Sequence, residues 1–497
     1  MTEDMKEIIK RYSSQFDNTC EILPIILAAG HGKRIKSETS KMLHTIWGKP
    51  SVERVSQAVK KGLETDNQII VVGNKAKEVI QKVGETQNTV FAFQEDQKGT
   101  GHAVQIALEQ LPDSILKQLE VIFVLPGDMG LITAETVRKI KDDFFNAHYD
   151  MVIMTGTYEG NPEDNYYGRV IRVPSINSAG KQSPDTGEVI QIMEFKDILN
   201  VDTNGYTVIH RDHRYHFTRE QLLEIPEFNT GVYAFKAQPL ISNINAIKSD
   251  NVQGEIYLTD LVSILNKNGY KIGISKARAN DETLGFNVKS VLKEMEAIAR
   301  KRVYNALKDI ITINDYDDFF IADDLVERIL ELDSRSEAVD IVIGPGVHLG
   351  KDVHISRGVV IDKNTKIEGK VYINANTYIG SNCSMDNYEK QQITIGVNCQ
   401  LLSGTVVRGN VSIGDNVRIE SGVRLTGSDQ YPTTIENNVL LKGTTYIFGS
   451  YVEQGVEIEQ SILKQKRVER LIKKDGSVQA IRYCRPLPEG LDSLRDL

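Results

Sequence analysis

Residues 343–379 read IGPGVHLGKDVHISRGVVIDKNTKIEGKVYINANTYI. Ile343, Leu349, Ile355, Ile361, Ile367, Ile373 and Ile379 stand six apart. Four places after each comes a small or β-branched residue: Val347, Val353, Val359, Thr365, Val371, Thr377 and Cys383. The count resumes at Ile395, Leu401, Val407, Ile413, Ile419 and Leu425, and again at Ile435, Leu441 and Ile447. An apolar residue at one phase of a six-residue period and a small one at another predicts a parallel β-helix, in which each hexapeptide makes one flat side and the isoleucines stack inside. The two phase breaks, near 384–392 and 428–432, predict loops that leave the helix.

Upstream of the repeats the pattern changes. Val288, Leu292, Met295, Ile298 and Val303 predict a long helix over 285–309, and a second helical piece follows at about 322–333. From Ile22 to about residue 300, short apolar runs alternate with helical patterns: Ile22 to Leu27, Gln68 to Gly73, Val121 to Leu125 and Met151 to Thr155, with helices such as Val52 to Leu63 and His102 to Leu111 between them. Short buried strands alternating with helices predict an α/β domain with an open, Rossmann-like, mostly parallel sheet, which binds ligands beyond the carboxyl ends of its strands. Met5, Ile8, Ile9 and Tyr12 predict a short docked helix at the start of the chain. At the other end Arg470 to Tyr483 reads as a hairpin about Asp475-Gly476. The expected division is a helical extension over 1–22, the α/β domain over 23–284, a helical connector over 285–340, the β-helix over 341–463 and a tail over 464–497.

The 497 residues are too many for one core. A net charge of −9 argues against a nucleic-acid binder, though not against a local basic pocket. No apolar run approaches the ~20 residues of a membrane span, so no membrane partner is expected. The first residues are charged, and Cys20, Cys383, Cys399 and Cys484 are scattered without metal-like spacing. Together these suit a reducing cytoplasm.

The residues that carry chemistry start at the end of the first strand. Leu27-Ala28-Ala29-Gly30-His31-Gly32-Lys33-Arg34 places small residues after a strand and an arginine four after the first glycine, with Lys41 seven further on. Small residues let backbone N–H groups approach phosphate oxygens, and arginine adds a fixed charge with several donors. A tight turn with solvated basic residues fits the same stretch. Neither the Walker pattern nor the three-glycine dinucleotide spacing is present.

The stretch Leu27 to Arg34 followed by Lys41-Met42-Leu43-His44 resembles the N-terminal domain of the N-acetylglucosamine-1-phosphate uridylyltransferase family. Further motifs follow in the family's order: Gln94 to Ala103, Gly127-Asp128, Tyr167-Gly168-Arg169, Glu194-Phe195-Lys196-Asp197, Asn229 to Tyr233, Gly254 to Asp260 and Gly285-Phe286-Asn287. The resemblance covers roughly residues 23–300 and implies a nucleotidyltransferase domain followed by a left-handed β-helix. It implies that UTP and a sugar 1-phosphate are the substrates. Leu27, Ala28, Ala29 and Gly30 would line the nucleotide, and Gln94, Gly99 and Thr100 would read the uracil edge, the glutamine amide offering both a donor and an acceptor. Gly127 closes the strand before Asp128; Asp128 and Asn287 would hold Mg²⁺. Gly168, Glu194 and Asn229 would contact the sugar and its acyl group, and Arg34 and Lys41 would neutralise the phosphates.

His31, His44 and His102 read as structural or lining groups. The cluster His210, His213 and His216 lies in a long insertion between Asp197 and Asn229, where a solvated loop and a metal site both fit. Family members of bacterial origin often carry an acetyltransferase on the β-helix, with a Lys-Ala-Gly-His-like loop and an Asn-Tyr-Asp-Gly stretch; neither occurs here. The only histidines beyond residue 300, His348 and His354, precede inward positions and so should face outward. The β-helix is therefore expected to be structural, building a homo-oligomer, by resemblance a trimer. Pro126 stands where the family usually has Tyr, and Lys33 where Thr is usual. The expected reaction gives UDP-N-acetylglucosamine, a cell-envelope precursor. Alternatives are another sugar 1-phosphate, added acetyl transfer on the β-helix, or a non-catalytic assembly subunit.

Overall fold

The computed structural model describes residues 1–17, 19–30, 32–334 and 337–484, and for Lys33 the backbone alone. It divides into two compact units, Met1–Glu296 and Ala297–Leu497.

Apart from a short pair at Thr45–Ile46 and Lys49–Pro50, the strands of the first unit are β1 (Ile22–Ala28), β2 (Gln68–Val72), β3 (Thr89–Phe93), β4 (Val121–Pro126), β5 (Met151–Thr157), β6 (Arg169–Arg172), β7 (Val189–Met193), β8 (Tyr206–His210), β9 (His213–Phe217), β10 (Glu227–Lys236) and β11 (Ile272–Lys276). The central sheet runs β11-β5-β10-β4-β1-β2-β3. Every neighbouring pair is parallel except those made by β10, which runs antiparallel to β4 and β5. The helices used below are α1 (Glu3–Tyr12), α2 (Ser51–Leu63), α3 (Thr100–Leu108), α4 (Ala134–Asn146), α5 (Phe195–Leu199), α6 (Asp260–Lys267) and α7 (Lys289–Leu307). Strands β1, β2 and β4 are apolar along nearly their whole length because both faces are covered, and two hydrophobic clusters lie on opposite sides of them.

Helix α1 buries Ile8, and the chain after it closes the sheet edge. Ser14 N–H donates to the Thr89 carbonyl at 2.8 Å, and Phe91 N–H donates to Ser13 Oγ at 3.0 Å. The extension thus occupies polar groups that edge strand β3 would otherwise expose.

The insertion between Asp197 and Asn229 is ordered, contrary to a solvated loop. Strands β8 and β9 form a two-residue hairpin about Arg211-Asp212, both with positive φ. Tyr215 is fully buried in a small cluster with Ile171, Ile190 and Leu222. His210 bonds Glu188 at 3.1 Å and His216 bonds Thr207 at 3.0 Å, so alternation along the strands sends the histidines to different partners. Among the described residues no cluster of three or more His, Cys, Asp or Glu is arranged to hold a metal.

The second unit is a left-handed parallel β-helix with three sheets. One inward file is Ile343, Ile361, Ile379, Leu401, Ile419, Leu441 and Ile458, each paired with the next. A second is Ile355, Ile373, Ile395, Ile413, Ile435, Val452 and Val468. The third starts at Ile321 and passes through Leu349, Ile367, Met385, Val407, Leu425 and Ile447 to Leu463. The coils therefore start before residue 341 and pass beyond 463. The expected connector contributes Thr312–Ile313 and Phe319–Ile321 to them, along with the helix Asp323–Asp333. Near 475 the chain turns back with Lys473 N–H bonded to the Ser477 carbonyl at 2.8 Å; residues 485–497 lie outside the described ones. Among the described residues no helix is long and apolar enough to cross a membrane.

Candidate functional site

Parallel strands β1 and β4 end side by side, and their carboxyl ends open into a cleft of about 530 Å³. The crevice beyond the carboxyl ends of an open sheet is where such folds bind ligands. Leu27, Ala29, Gly30, Arg34, Lys41, Gln94, Gly99, Thr100, Asp128, Glu194, Asn229 and Asn287 all line it. Three expected residues do not. Ala28 is buried and faces Gly127, Gly127 continues the pairing by donating to the Leu27 carbonyl at 2.9 Å, and Gly168 lies behind Glu194. His31 and the Lys33 side chain lie outside the described residues. His44, half-buried, meets Phe286 edge-on; burial and the nearby Lys289 hold its pKa below the usual histidine value.

The charged centre combines three chain segments. Lys41 opens a short turn after the glycine-rich stretch and is 9% exposed, while the Asp128 side chain is 16% exposed. The Lys41 ammonium donates to Asp128 Oδ2 and, at 2.8 Å, to Asn287 Oδ1. It also lies 5.7 Å from the Phe286 ring centroid. A carboxylate and an amide oxygen thus converge on one cation. Arg34 sits exposed at the rim of the same cleft.

The Gln94 to Thr100 turn lines the same cleft. Gln94 is 3% exposed and both Nε2 hydrogens are engaged, to the Gly99 carbonyl and to His102 Nδ1, each at 3.1 Å. Only Oε1 is left to meet a ligand, so this amide presents an acceptor rather than the donor–acceptor pair expected from residue type. Gln97, which lies in the quoted motif without an expected role, donates to the Ala29 carbonyl at 2.7 Å and ties the turn to the glycine-rich segment. Gly99 has φ +111°, and a Cβ there would stand 2.5 Å from the Ile256 carbonyl oxygen. Only glycine fits that turn.

Glu194, Asn229 and Tyr233 line the cleft as well. Burial, and then Asp197, push the Glu194 carboxyl up to about 7, and Thr259 Oγ1 stands 3.5 Å from it. Asp260 at the head of α6 is pushed up to about 6 by burial and the same Asp197. The register of β10 against β5 shifts between Asn229 and Tyr233. In that bulge Asn229 Nδ2 donates to the Tyr233 hydroxyl at 2.7 Å, and Asn229 Oδ1 accepts from Gly231 N–H at 3.1 Å. Bulges of this kind re-aim side chains beside active sites. Arg169, fully buried, donates to the carbonyls of Tyr167 at 2.5 Å and Asn165 at 2.8 Å, holding the segment before Gly168. Gln97, Pro126, Leu258 and Thr259 also line the cleft; they lie in or beside the quoted motifs, but residue type alone gave them no role.

Comparison with known proteins agrees with this architecture. Residues 24–191 match the MobA-like NTP transferase domain, and residues 392–427 match the bacterial transferase hexapeptide family of six repeats. A relative from Clostridium tetani named bifunctional protein GlmU is 37% identical over 299 residues, covering 60% of this chain and 56% of the relative. One of the same name from Acetivibrio thermocellus is 32% identical over 415 residues, covering 81% of this chain and 76% of the relative. A third, from Shouchella clausii, is 33% identical over 345 residues, covering 65% and 67%. The chain belongs to the bifunctional protein GlmU family, and it is a nucleotidyltransferase whose catalytic domain precedes a hexapeptide-repeat β-helix.

Proposed function

We propose that this chain transfers UMP from UTP to N-acetylglucosamine 1-phosphate, giving UDP-N-acetylglucosamine and pyrophosphate. It does so as a Mg²⁺-dependent cytoplasmic enzyme that assembles as a trimer through its β-helix. The observation that carries the reading is one cleft lined both by a cationic centre of Lys41, Asp128 and Asn287 and by the buried Gln94 acceptor.

The sugar 1-phosphate is already an anionic nucleophile at neutral pH, so the reaction needs neither a general base nor a covalent intermediate. Its oxygen attacks the α-phosphorus in line as pyrophosphate leaves. The obstacles are repulsion between anions and charge growing on the leaving group, so positioning and electrostatics supply the catalysis. Lys41 and Arg34 provide fixed positive charge beside the phosphates. Asp128 and Asn287 already converge on a cation, and their hard oxygen donors suit Mg²⁺. When bound there, Mg²⁺ supplies the charge that screens the reacting phosphates. Gln94 Oε1 accepts from the N3–H of uracil, an arrangement cytosine cannot match because its N3 carries a lone pair. Glu194 and Asn229 face the sugar, the glutamate as an acceptor for hydroxyl groups.

The β-helix is assigned no acyl transfer. His348 stacks on Phe320 with centroids 4.4 Å apart, and His354 on Tyr372 at 4.6 Å, both on regular strands. Both rings thus sit in aromatic stacks on the outer face, an arrangement that suits a surface ladder better than a catalytic base. The test of the whole reading is pyrophosphate release from UTP with Mg²⁺ across the 1-phosphates of N-acetylglucosamine, N-acetylgalactosamine, glucose and galactose. N-acetylglucosamine 1-phosphate should give the highest kcat/KM. Turnover with none of them would favour an assembly subunit, and acetyl-CoA-dependent acetylation of glucosamine 1-phosphate would overturn the structural role of the β-helix.

A further inference from the structure

Residues 251–259 run between the uracil-facing turn and the helix that follows Glu194, and they touch both. On the nucleotide side, Ile256 N–H donates to the Lys98 carbonyl at 2.6 Å and the Ile256 carbonyl accepts from Gly101 N–H at 2.8 Å. Leu258 N–H donates to Thr100 Oγ1 at 3.1 Å. The Gly99 turn therefore has its shape only while Ile256 lies against it, as the contact at Gly99 already requires. On the sugar side, Val252 N–H donates to Asp197 Oδ1 at 3.1 Å, and Lys196 Nζ donates to Gln253 Oε1 at 2.5 Å. Both partners belong to α5, which starts one residue after Glu194. Thr259, at the end of the segment, reaches Glu194 itself.

One side chain shapes this strap. Asn251 Oδ1 accepts from the N–H groups of Gln253 and Glu255, each at 3.2 Å. Its Nδ2 donates to the Glu255 carbonyl at 2.6 Å, and its own carbonyl accepts from Gly254 N–H at 3.0 Å. Both backbone polar groups of Glu255, the residue before Ile256, are thus held by Asn251. The tip, Val252 to Gly254, is exposed and has no apolar anchor of its own, so hydrogen bonds decide its conformation. A side-chain amide supplies the donor and the acceptor together, and no other residue of its length does so without charge.

We infer that Asn251 is a positioning residue for both substrates: it sets the strap that fixes the uracil-facing turn on one side and the Glu194 helix on the other. The inference rests on the uridylyltransferase reading for the identity of the ligands. Asn251 touches neither substrate, so its loss disorders both binding sites while leaving the charged centre at Lys41 and Asp128 in place. The Gln253 side chain accepts from Lys196 of α5 and donates to the Tyr257 hydroxyl within the strap at 2.5 Å, so the neighbouring element it ties the strap to is α5 and its loss falls first on the sugar.

The test combines UTP binding by calorimetry with steady-state kinetics on three variants of the full chain. Asn251→Ala should weaken UTP binding and raise KM for both substrates by about tenfold, with kcat changed by less than about threefold. Asn251→Asp keeps the two accepted bonds and loses the donated one, and should recover part of the UTP affinity. Gln253→Leu should raise KM for the sugar 1-phosphate and leave UTP binding unchanged. If Asn251→Ala does not fold, the other two variants still carry the asymmetry. The inference is overturned by UTP affinity within twofold of wild type in Asn251→Ala, by a loss confined to kcat, or by equal effects of Gln253→Leu on both substrates. Failure of the underlying reading looks different: wild type binds UTP but forms no product with any sugar 1-phosphate, and the UTP comparison among variants still decides the role of Asn251.

Discussion

Replacing Lys41 by methionine removes the cation on which Asp128 and Asn287 converge while keeping most of the side-chain volume. Asp128 is then a largely buried carboxylate with its partner gone. Breaking a buried ion pair from one side costs about 3–5 kcal/mol when nothing compensates. Here the cleft is open and Asp128 keeps 16% of its surface, so water recovers part of the loss and about 2–3 kcal/mol is expected. For a unit of this size that is a fall in melting temperature of about 5 °C. Because the same two oxygens suit Mg²⁺, the ion should restore the variant more than it raises wild type, by about 1.4 kcal/mol at ten times its Kd. The catalytic loss should exceed about 2 kcal/mol in kcat/KM, roughly thirtyfold. Thermal melts of both proteins with and without millimolar Mg²⁺, alongside kcat/KM, make the measurement. A variant that melts with wild type, ignores Mg²⁺ and turns over normally would refute the electrostatic role given to Lys41.

Four further outcomes follow from the same geometry. Glu194 titrates near 7 because of burial and the facing carboxylates of Asp197, Asp260 and Glu255. Ionised, it accepts from sugar hydroxyls at both oxygens and more strongly than the protonated acid, so KM for the sugar 1-phosphate should fall as pH rises from 6 to 8, and Glu194→Gln, which shares the substrate's own titration, should flatten the enzyme's part. The same raised pKa means that ionising Glu194 costs folding stability, so its contribution is most favourable below the ordinary glutamate value and is lost as pH rises through about 7, readable in urea midpoints against Glu194→Gln. Gly99→Ala forces a side chain onto a positive φ against the Ile256 carbonyl and should cost about 1–3 kcal/mol, seen as a UTP KM raised at least several-fold. Arg169→Met leaves the carbonyls of Tyr167 and Asn165 without their donor and should lower the stability of the first unit by about 3–5 kcal/mol in a urea titration.

The two units were legible in the sequence to different depths. The stacked files from Ile343 to Ile447 follow directly from a six-residue count, because a β-helix repeats its geometry at every coil. The last coils escaped that count because Val452, Leu463 and Val468 each follow their predecessor by five residues. Strands β1, β2, β4 and β5 could be found because burial on both faces makes them continuously apolar. β10 could not, since its bulge places Thr230-Gly231 in mid-strand, and the β8–β9 hairpin turns on Arg-Asp rather than on the glycine pairs that favour positive φ. The expected site residues came from ordered motifs and a family resemblance, and all but Ala28, Gly127 and Gly168 line one cleft. What residue type could not give was the direction of the Gln94 amide, the tie from Gln97 to Ala29, or the strap shaped by Asn251, since each depends on contacts between segments distant in sequence.

The central claim is that the sugar phosphate oxygen attacks the α-phosphorus of UTP. It is tested by giving the purified chain UTP, Mg²⁺ and N-acetylglucosamine 1-phosphate carrying ¹⁸O in its phosphate, then locating the label by mass spectrometry. The expected product is UDP-N-acetylglucosamine with the labelled phosphate intact and an ¹⁸O bridge between the two phosphorus atoms, together with unlabelled pyrophosphate. Labelled pyrophosphate, a diphosphate without the label in its bridge, or UTP consumed with no sugar nucleotide formed would contradict it.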